Sequence, residues 1–324
     1  MRVYAFHDQS GCGEYRVKVP LGAMAEHGGH DVRMVLGSNV EHAEMRDYEL
    51  IVGQRMDKHA ALPEWRRMRS HSRLVYEIDD DVFSVDPVNA MAYVTFSRAD
   101  VQDAVAHAAE VADLVTVTTP TLAEVMRRHN PNVVVLPNYV PDFILDIERP
   151  KRDKLVIGWA GGASHGSDLQ MIAAQLRRVI DRNDVETHLV GTDYEDTIGR
   201  PCRFTKWDPD LATYYSNIDF DIGLAPLTTS VFNRSKSHIK ALEYAALGIP
   251  VVATDLEPYR DFVVDGVTGW LVKREHEWFK RVHALVNDEA MRTEMAANAR
   301  SLASKWTITN GWKQWEDAYQ KLLG

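Results

Sequence analysis

Short apolar runs alternate with segments of helical spacing along the whole chain. The predicted strands of the first half are MRVYAF, DVRMVLG, YELIVG, RLVYEI, LVTVTT and NVVVLP. Between them, apolar positions recur at helical spacing over residues 16–27, 101–111 and 121–129. This alternation is typical of a parallel sheet covered by helices on both faces.

The same pattern starts again in the second half of the chain. Its predicted strands are KLVIGWA, ETHLVG, FDIGLAP, PVVATD and GWLV. The stretch between the halves, residues 138–152, is rich in proline and charge, as interdomain linkers are. We therefore predict an α/β protein with two Rossmann-like domains, residues 1–145 and 146–305.

The last segment, residues 306–324, is predicted to form a helix. Its apolar and aromatic residues recur at helical spacing, and these are Trp312, Trp315, Tyr319 and Leu322. A helix with one apolar face needs a surface to cover it, so we expect this helix to pack back on the N-terminal domain.

The composition, with 45% hydrophobic and 26% charged residues, is that of a soluble globular protein. The first residues lack the regions of a signal peptide, and no apolar run approaches the roughly 18 residues that span a bilayer, so we predict a cytoplasmic location. Cys12 and Cys202 have no metal-binding spacing and are predicted to be reduced. The formal net charge of −10 argues against bulk electrostatic binding of nucleic acid.

One stretch, residues 55–73, departs from the acidic average. Its basic residues are Arg55, Lys58, Arg66, Arg67, Arg69 and Arg73. Only Asp57 and Glu64 oppose them. Such a cluster fits an anionic partner, either a glycan, a membrane surface or DNA. A solvated basic helix is the alternative.

A predicted helix over residues 236–247 begins with positive charge. Arg234 and Lys236 stand where the helix dipole is positive and cations are disfavoured. A bound phosphate or diphosphate would turn the dipole, the free N–H groups and both cations into mutually supporting contributions. Lys240 and Glu243 share the stripe of Lys236, so Glu243 is placed to accept hydrogen bonds from ribose hydroxyls. A surface salt bridge between Lys240 and Glu243 is the alternative.

Two glycine turns predict further ligand contacts. In LVIGWAGGASHGSDLQMI a strand ends before Gly161 and Gly162, and a helix with a capping box follows. His165 in this loop is predicted to reach a phosphate or a donor sugar, with an exposed loop histidine as the alternative. Gly11 and Gly13 likewise stand between a strand and a helix. Because ligands of parallel sheets bind at the carboxyl ends of strands, the two turns predict an interdomain cleft.

These stretches resemble a known enzyme family. GCGEY is similar to a glycine loop, PNYVPD to an interdomain segment, and ALEYAALGIPVVATDLEPYRDFVVDGVTGWLV to a C-terminal signature of glycosyltransferases with the GT-B fold. The resemblance covers nearly all of the chain and is to the retaining glycosyltransferases of family four, also called the group 1 type. Such enzymes are found in surface-polysaccharide clusters and phage genomes. The resemblance implies an active site between two Rossmann-like domains, a nucleotide sugar as co-substrate, with a UDP-sugar expected, and no metal or other cofactor.

The resemblance also implies roles for single residues. Glu243 matches the glutamate that holds the donor ribose. Ser235 stands where the family's first glutamate usually contacts the sugar, which leaves Asn233, Arg234 and Lys236 as candidate substitutes. Lys236 is therefore expected to act together with Glu243 at the catalytic centre.

Other donor contacts follow from the same comparison. The family's usual Arg and Lys after the first C-terminal strand are missing, so Lys240 is a further candidate for the diphosphate. The loop RFTKWDPD lies where such enzymes hold the nucleobase, so Lys206 and Trp207 are candidates for that pocket, although a core tryptophan is the alternative.

The acidic run in LVYEIDDDVF supports more than one interpretation. Asp79, Asp80 and Asp81 resemble the aspartate motif with which single-domain GT-A glycosyltransferases hold Mg²⁺ or Mn²⁺. In the GT-B resemblance Asp79 falls near a histidine of the catalytic cleft, which implies an acceptor-orienting or general-base role. A solvated acidic turn is the third alternative.

The resemblance implies that the acceptor contacts the N-terminal domain, with Arg55, Arg66, Arg67 and Arg69 as candidate contacts. A glycan or lipid-linked sugar is the expected acceptor, with peripheral membrane contact in the lipid-linked case. Hydroxymethylated pyrimidines in DNA are the alternative. A nucleotide-sugar epimerase and a non-catalytic nucleotide-sugar binding protein are the competing functions.

Overall fold

The computed structural model describes residues 1–8, 11–37, 45–150 and 152–324. Its first sheet is six-stranded and parallel throughout. The strands are β1 (Arg2–His7), β2 (Asp31–Leu36), β3 (Leu50–Gln54), β4 (Arg73–Ile78), β5 (Leu114–Val117) and β6 (Val133–Val135). Their order in the sheet is β2-β1-β3-β4-β5-β6.

Helices cover both faces of this sheet. A turn at Gly11–Gly13 and a π-helical segment Glu14–Lys18 lead into α1 (Val19–Gly28), followed by α2 (Leu62–Met68), α3 (Ala90–Phe96), α4 (Ala99–Val111) and α5 (Pro120–Met126). Strands β3 and β5 are buried along their full length, because side chains of one face join one apolar core and those of the other face join a second core. Strands buried on both faces explain the continuous apolar runs in the sequence.

The second sheet is also six-stranded and parallel. Its strands are β7 (Leu155–Gly161), β8 (Val185–Gly191), β9 (Arg203–Lys206), β10 (Ile222–Ala225), β11 (Val251–Thr254) and β12 (Gly269–Val272). They lie in the order β12-β11-β10-β7-β8-β9. The two sheets confirm the prediction of an α/β protein built from two Rossmann-like units.

Helices of the second unit again lie on both faces of its sheet, in two apolar cores. They are α6 (Gly166–Ile180), α7 (Glu195–Ile198), α8 (Leu211–Ser216), α9 (Val231–Arg234), α10 (Ile239–Ala246), α11 (Glu257–Arg260), α12 (Glu277–Asn287) and α13 (Glu289–Ala303). The amphipathic α6 buries Leu169, Ile172 and Leu176 against β7, β8 and α12.

The chain returns to the first unit at its end. After α14 (Ile308–Gly311), α15 (Lys313–Leu323) packs against α1, and Trp312, Trp315 and Tyr319 are buried in the core beside β1. Val140 forms a bridge with Thr307, so the outgoing and returning segments run side by side. The domain limits at residues 145 and 305 stay predictions. Within the described ranges, no helix is both long and apolar enough to cross a bilayer.

Candidate active site in the cleft between the sheets

A cavity of about 610 Å³ lies between the two units. It brings together ten of the predicted site residues, which are Gly11, Arg55, Asp79, Gly161, Gly162, His165, Trp207, Lys236, Lys240 and Glu243. They come from the carboxyl ends of β1, β3, β4, β7 and β9 and from the loops and helices that follow, as ligand sites of open parallel sheets do. These ten are about a third of the 31 residues that line the cavity, and their contacts show what this part of the wall can do.

Glu243 lies on α10 and is buried at the cavity wall. The hydroxyl of Tyr15, from the N-terminal unit, donates to its Oε1, and the hydroxyl of Tyr214 lies 3.5 Å from its Oε2. Tyr15 also contacts Tyr215, with 2.6 Å between the two hydroxyl oxygens. Burial raises the pKa of Glu243 above its ordinary value. The side chain of Glu243 therefore already accepts hydrogen bonds from hydroxyl groups.

Lys240 lies one turn before Glu243 and is also buried. Its Nζ donates to the carbonyl of Ala160 and lies 4.7 Å from the ring centroid of Trp159. Burial lowers the pKa of Lys240 to about 8. A Cβ on Gly161 would lie 2.7 Å from this Nζ, so the glycine is needed for the lysine to sit there. The alternative of a surface salt bridge between Lys240 and Glu243 is wrong, since both side chains are buried.

The predicted helix of residues 236–247 begins later than expected, at Ile239. The side chain of Ser230 accepts from the N–H of Asn233 and starts the separate short helix α9. Arg234 ends that helix and forms an ion pair with Glu257, away from the cavity. The placement of Arg234 at a helix N-terminus beside a phosphate is therefore wrong.

Lys236 does face the cavity, although it is not within α10. Its Nζ lies 3.3 Å from Asp80 Oδ1, across the cleft, and 4.5 Å from the ring centroid of Phe232. Burial alone lowers the pKa of Lys236, but the carboxylates of Asp80 and Asp168 outweigh burial and raise it. Lys236 is therefore a firmly cationic group that spans the cleft.

Asn233 does not line the cavity either, and its contact with the donor sugar stays a prediction. It is buried behind the wall, where its Nδ2 donates to Asp168 Oδ1 at 3.1 Å and to the carbonyl of Thr228 at 3.0 Å. The predicted capping box does not form, because α6 begins at Gly166 with no side-chain cap. The carboxylate of Asp168 instead accepts from the N–H of Thr228 at 2.7 Å and holds His165.

His165 lines the cavity directly before α6. Its Nδ1 lies 2.7 Å from Asp168 Oδ2. Burial lowers the pKa of His165 to about 4, so the ring is neutral at pH 7. A neutral ring that donates from Nδ1 to the carboxylate has an accepting Nε2. This nitrogen suits a sugar hydroxyl better than a phosphate oxygen.

Arg55 and Asp79 form an ion pair on the N-terminal side of the cleft. The Nη2 of Arg55 also lies 3.5 Å from Asp80 Oδ2 and 3.3 Å from Cys12 Sγ. Burial raises the pKa of Asp79, but the guanidinium outweighs burial and lowers it. Arg55 has a φ of 44°, a left-handed conformation that is uncommon outside glycine. The carboxylate of Asp79 is thus ionised and fixed in place.

The three aspartates do not converge on one point. Asp79 binds Arg55, Asp80 faces Lys236, and the Oδ1 of Asp81 accepts from the N–H of Phe83 at 3.1 Å. Among the residues described, no group of three or more His, Cys, Asp or Glu side chains could hold a metal ion. Together with the two-sheet fold, this geometry removes the basis for the single-domain GT-A interpretation.

A buried network that sequence reasoning missed supports the cleft from the N-terminal side. Arg16 Nε donates to Glu77 Oε1 at 2.7 Å, and Arg16 Nη1 donates to Asn138 Oδ1 at 2.9 Å. Asn138 in turn donates to Ser237 at 2.8 Å, beside Lys236. The signal in the sequence is a glutamate within the otherwise apolar strand RLVYEI.

Three further predicted contacts lie outside the cavity. Lys206 is exposed at the end of the edge strand β9, whereas its neighbour Trp207 lines the cavity. Gly13 allows close packing instead of ligand approach, since a Cβ there would lie 2.2 Å from the carbonyl oxygen of Asp8. Asn233, as described above, holds Asp168. None of the three lines the cavity, and their contacts with the donor stay predictions.

A second cavity of about 590 Å³ lies in the N-terminal unit, and the remaining candidate acceptor residues are not part of its lining, although Glu64 and Met68 of α2 are. Arg66, Arg67 and Arg69 are exposed on α2 and at its C-terminal end. Arg67 pairs with Glu64 at 2.9 Å, and Arg69 pairs with Asp113 at 3.0 Å. The second cavity lies next to the interdomain cavity, because both are lined by Arg55, Thr95 and Phe96.

Comparison with known proteins agrees with this architecture. Residues 154–288 match the model of the family described as glycosyl transferases group 1. No curated protein matches the sequence. The two-sheet fold is that of the GT-B glycosyltransferases.

Several solved structures have this fold over the whole chain. Sucrose-phosphate synthase from Thermosynechococcus elongatus is 14% identical, with a TM-score of 0.67 and 99% of both chains covered. HepE of Anabaena, solved in complex with UDP-glucose, is 15% identical, with a TM-score of 0.67, 99% of this chain and 100% of that chain covered. An alpha-glucosyltransferase in complex with UDP-glucose and DNA containing an abasic site is 11% identical, with a TM-score of 0.68 and 99% of both chains covered. The chain therefore has the fold of these glycosyltransferases, and residues 154–288 within it match the group 1 family model.

Proposed function

We propose that the protein transfers a hexose from a UDP-sugar to a hydroxyl acceptor, with retention of configuration at the anomeric carbon. The observation that carries the proposal is one cavity wall on which a cation, Lys236, and a hydroxyl-binding carboxylate, Glu243, stand together. These are the two chemistries that a nucleotide sugar presents, a diphosphate and a ribose diol. The complex of HepE with UDP-glucose, in the same fold, supports the choice of nucleotide.

The diphosphate is proposed to lie between Lys236 and the start of α6. Gly161, Gly162 and His165 line the cavity immediately before this 15-residue helix, so its free N–H groups and positive dipole end lie on this side. Positive groups fixed beforehand in a closed cleft stabilise charge that develops on a leaving phosphate. Lys236 is therefore the proposed catalytic cation, and no other cofactor is proposed.

The ribose and the base are proposed to bind along α10 and α8. Glu243 accepts hydrogen bonds from the vicinal hydroxyls of the ribose. These replace the hydrogen bonds that it accepts from the hydroxyls of Tyr15 and Tyr214 in the empty cleft. Trp207 lines the same end of the cavity and offers an aromatic face for a nucleobase. Binding of the ribose therefore changes the contact of Tyr15, which joins the two units.

The acceptor is proposed to approach from the N-terminal unit. Asp79 is ionised and held by Arg55 at the edge shared by the two cavities. An ionised carboxylate accepts a hydrogen bond from the acceptor hydroxyl and orients it, while the departing diphosphate takes its proton in a front-face displacement. A glycan or lipid-linked sugar is the proposed acceptor.

Modified DNA is the second candidate acceptor. The observation that favours it is a pair of exposed arginines, Arg66 and Arg67, on α2. The alpha-glucosyltransferase solved with UDP-glucose and DNA has the same fold. Phosphate contacts of this kind make binding sensitive to salt.

A thermal-shift panel of nucleotide sugars, combined with an assay of nucleotide release, tests the proposed donor. UDP-glucose, UDP-N-acetylglucosamine and GDP-mannose are compared on the wild type, on Glu243→Gln and on the matched exposed control Glu275→Gln. Ligand at 100 times its Kd stabilises the native state by about 2.7 kcal/mol, which is readily measured. We expect a UDP-sugar to stabilise the wild type and the control but not Glu243→Gln.

The release assay separates the competing activities. A transferase releases UDP faster when acceptor is present, and EDTA leaves the rate unchanged. Interconversion of nucleotide sugars without acceptor would show an epimerase instead. Absence of stabilisation by all nucleotide sugars would contradict the proposal.

A further inference from the structure

The carboxylate of Asp168 lies behind the cavity wall and meets donors at both of its oxygens. Its side chain is 1% exposed. Its Oδ1 accepts from the N–H of Thr228 at 2.7 Å, from the hydroxyl of Thr228 at 2.9 Å and from Asn233 Nδ2 at 3.1 Å. Burial raises the pKa of Asp168, but the hydrogen bonds from His165 and Thr228 outweigh burial and lower it. The carboxylate is therefore ionised and can only accept hydrogen bonds.

An ionised Asp168 decides which nitrogen of His165 carries the proton. His165 Nδ1 lies 2.7 Å from Asp168 Oδ2, and a carboxylate that only accepts requires a proton on that nitrogen. Because the ring is neutral, Nε2 is left with an accepting lone pair. The ring of Trp159 meets the imidazole edge to face, with 5.8 Å between the ring centroids. Asp168 thus fixes the tautomer of the imidazole, and the two contacts together fix its direction.

The Nε2 of His165 is open to the interdomain cavity. Over the ranges that the structure describes, this nitrogen has no hydrogen-bond partner and is not among the buried unpaired atoms, and His165 lines the cavity. Burial lowers the pKa of the ring most, and the charges of Lys240 and Lys236 lower it further. The C-terminal side of the cavity therefore presents a neutral hydrogen-bond acceptor close to two cations.

A neutral acceptor close to cations suits a sugar that is joined to a diphosphate. An ionised phosphate oxygen has no proton to donate to Nε2, whereas a sugar hydroxyl does. The diphosphate is proposed to lie at the start of α6, which begins at Gly166, directly after His165. Asn233 and Arg234, which were also candidates for the sugar, do not line the cavity. This arrangement favours His165 as a contact of a hydroxyl on the transferred hexose.

We propose that Asp168 is a positioning residue that holds His165 in the tautomer with an accepting Nε2, and that His165 thereby selects a donor hexose with a free hydroxyl at that point. The inference rests on the proposed function and deepens it, because it assigns the contact that distinguishes one donor sugar from another. His165 accepts a hydrogen bond in this role and takes no proton from the substrate.

Calorimetry with UDP, with UDP-glucose and with analogues of UDP-glucose that each lack one sugar hydroxyl tests the contact on the wild-type chain. UDP shares every part of the ligand except the sugar, so the ratio of the two Kd values isolates the sugar contact. We expect UDP-glucose to bind more tightly than UDP. We expect the analogue without the selected hydroxyl to bind about tenfold more weakly than UDP-glucose.

His165→Phe removes the accepting nitrogen and keeps a flat ring. We expect its Kd for UDP to stay within about twofold of the wild-type value, and its Kd for UDP-glucose to rise about tenfold. The analogue that the wild type rejects should then bind as well as UDP-glucose. His276→Phe, which changes an exposed histidine of the C-terminal unit, is the matched control and should keep the wild-type values for all ligands.

Asp168→Asn tests the positioning role, because His165 itself is unchanged. The amide oxygen stays with the donors of Thr228 and Asn233, so the amide Nδ2 faces His165 Nδ1 and requires that nitrogen to accept. Nε2 then carries the proton and no longer accepts from the sugar. Nitrogen-15 NMR of the histidine ring should show the proton on Nδ1 in the wild type and on Nε2 in Asp168→Asn, with the same loss of UDP-glucose affinity as in His165→Phe.

Circular dichroism checks that each variant is folded, and the wild-type tautomer together with His165→Phe decides the question if Asp168→Asn is not. A wild-type ring with the proton on Nε2, or an unchanged preference for UDP-glucose over UDP in His165→Phe, would overturn the inference. An equal loss of UDP and UDP-glucose affinity would also overturn it, since His165 would then serve the diphosphate. No binding of UDP by the wild type would instead overturn the proposed function, and the inference with it.

Discussion

The two walls of the cleft hold their charges in different ways. On the N-terminal wall, Arg55 pairs with Asp79 and Arg16 pairs with Glu77. On the C-terminal wall, the Nζ of Lys240 is held by a backbone carbonyl, and Glu243 is held by tyrosine hydroxyls. The N-terminal wall thus has ion pairs that are neutralised within it, whereas Lys240 and Glu243 of the C-terminal wall meet neutral dipoles and its Lys236 reaches across to Asp80.

This difference assigns the walls to different tasks. Ion pairs that are complete within the protein fix geometry and offer little net charge to a ligand. Buried charges held only by dipoles are costly in the empty cleft, and a ligand that brings the opposite charge or a diol relieves that cost. We therefore expect substitutions on the N-terminal wall to affect stability and acceptor geometry, and those on the C-terminal wall to affect donor affinity and rate.

The largest effect on stability is expected for Arg16→Leu. It leaves the buried carboxylate of Glu77 unpaired, which costs about 3–5 kcal/mol in the free energy of unfolding. Urea denaturation measures the loss. The double variant Arg16→Leu/Glu77→Leu removes both charges and is expected to recover much of it. If the free energy of unfolding of Arg16→Leu were within about 0.5 kcal/mol of the wild-type value, this pair would not support the wall.

Lys236→Met is expected to give the largest effect on turnover. Removal of one preorganised group that stabilises the leaving charge lowers kcat by about 100- to 1000-fold. Lys280→Met, which changes an exposed lysine on α12, is the matched control and should stay within about twofold of the wild type. A fall in affinity alone, with kcat intact, would place Lys236 in donor binding and not in the chemical step.

A pH effect is expected from His165. Its pKa is lowered from 6.5 to about 4 in the native state, so the unfolded chain binds the extra proton between these values. Stability from this group is complete above pH 6.5 and is lost as the pH falls towards 4. His165→Asn should therefore lose less stability than the wild type between pH 6.5 and 4, by at most about 1.4 kcal/mol per pH unit. If the free energy of unfolding changed with pH by the same amount in the two proteins, the buried neutral ring would be contradicted.

The smallest effect is expected for Arg67→Ala. The pair with Glu64 is exposed and lies one helical turn apart, so its loss should change the free energy of unfolding by less than about 0.5 kcal/mol. The same variant sharpens the comparison, because any effect on acceptor binding would then come from charge at the surface. A stability loss above 1 kcal/mol would show that α2 depends on this pair.

The sequence predicted the parts of the site that are encoded locally. Gly161 and Gly162 follow an apolar strand, and Lys236, Lys240 and Glu243 recur at helical spacing, so short-range rules found them. Tyr15 and Glu243 are 228 positions apart, and Arg16 and Glu77 are 61 positions apart. Contacts at such separations depend on how the two units pack, which periodicity does not encode.

Two misassignments have local causes. Arg234 was placed at the start of a long helix because Ser230 and the break after α9 leave no mark on the apolar spacing. The capping box predicted after Gly162 does not form, and Asp168 within that stretch instead accepts from the N–H of Thr228, 60 positions away. Helix ends are the least certain part of such a prediction because capping partners compete for them.

A crystal structure with bound UDP tests the central claim most directly. The account predicts ribose hydroxyls within hydrogen-bond distance of Glu243, and phosphate oxygens that contact Lys236 Nζ and the N–H groups at the start of α6. UDP bound away from the interdomain cavity would contradict it. So would a diphosphate that contacts neither Lys236 Nζ nor the N–H groups at the start of α6, with Lys236 still paired with Asp80.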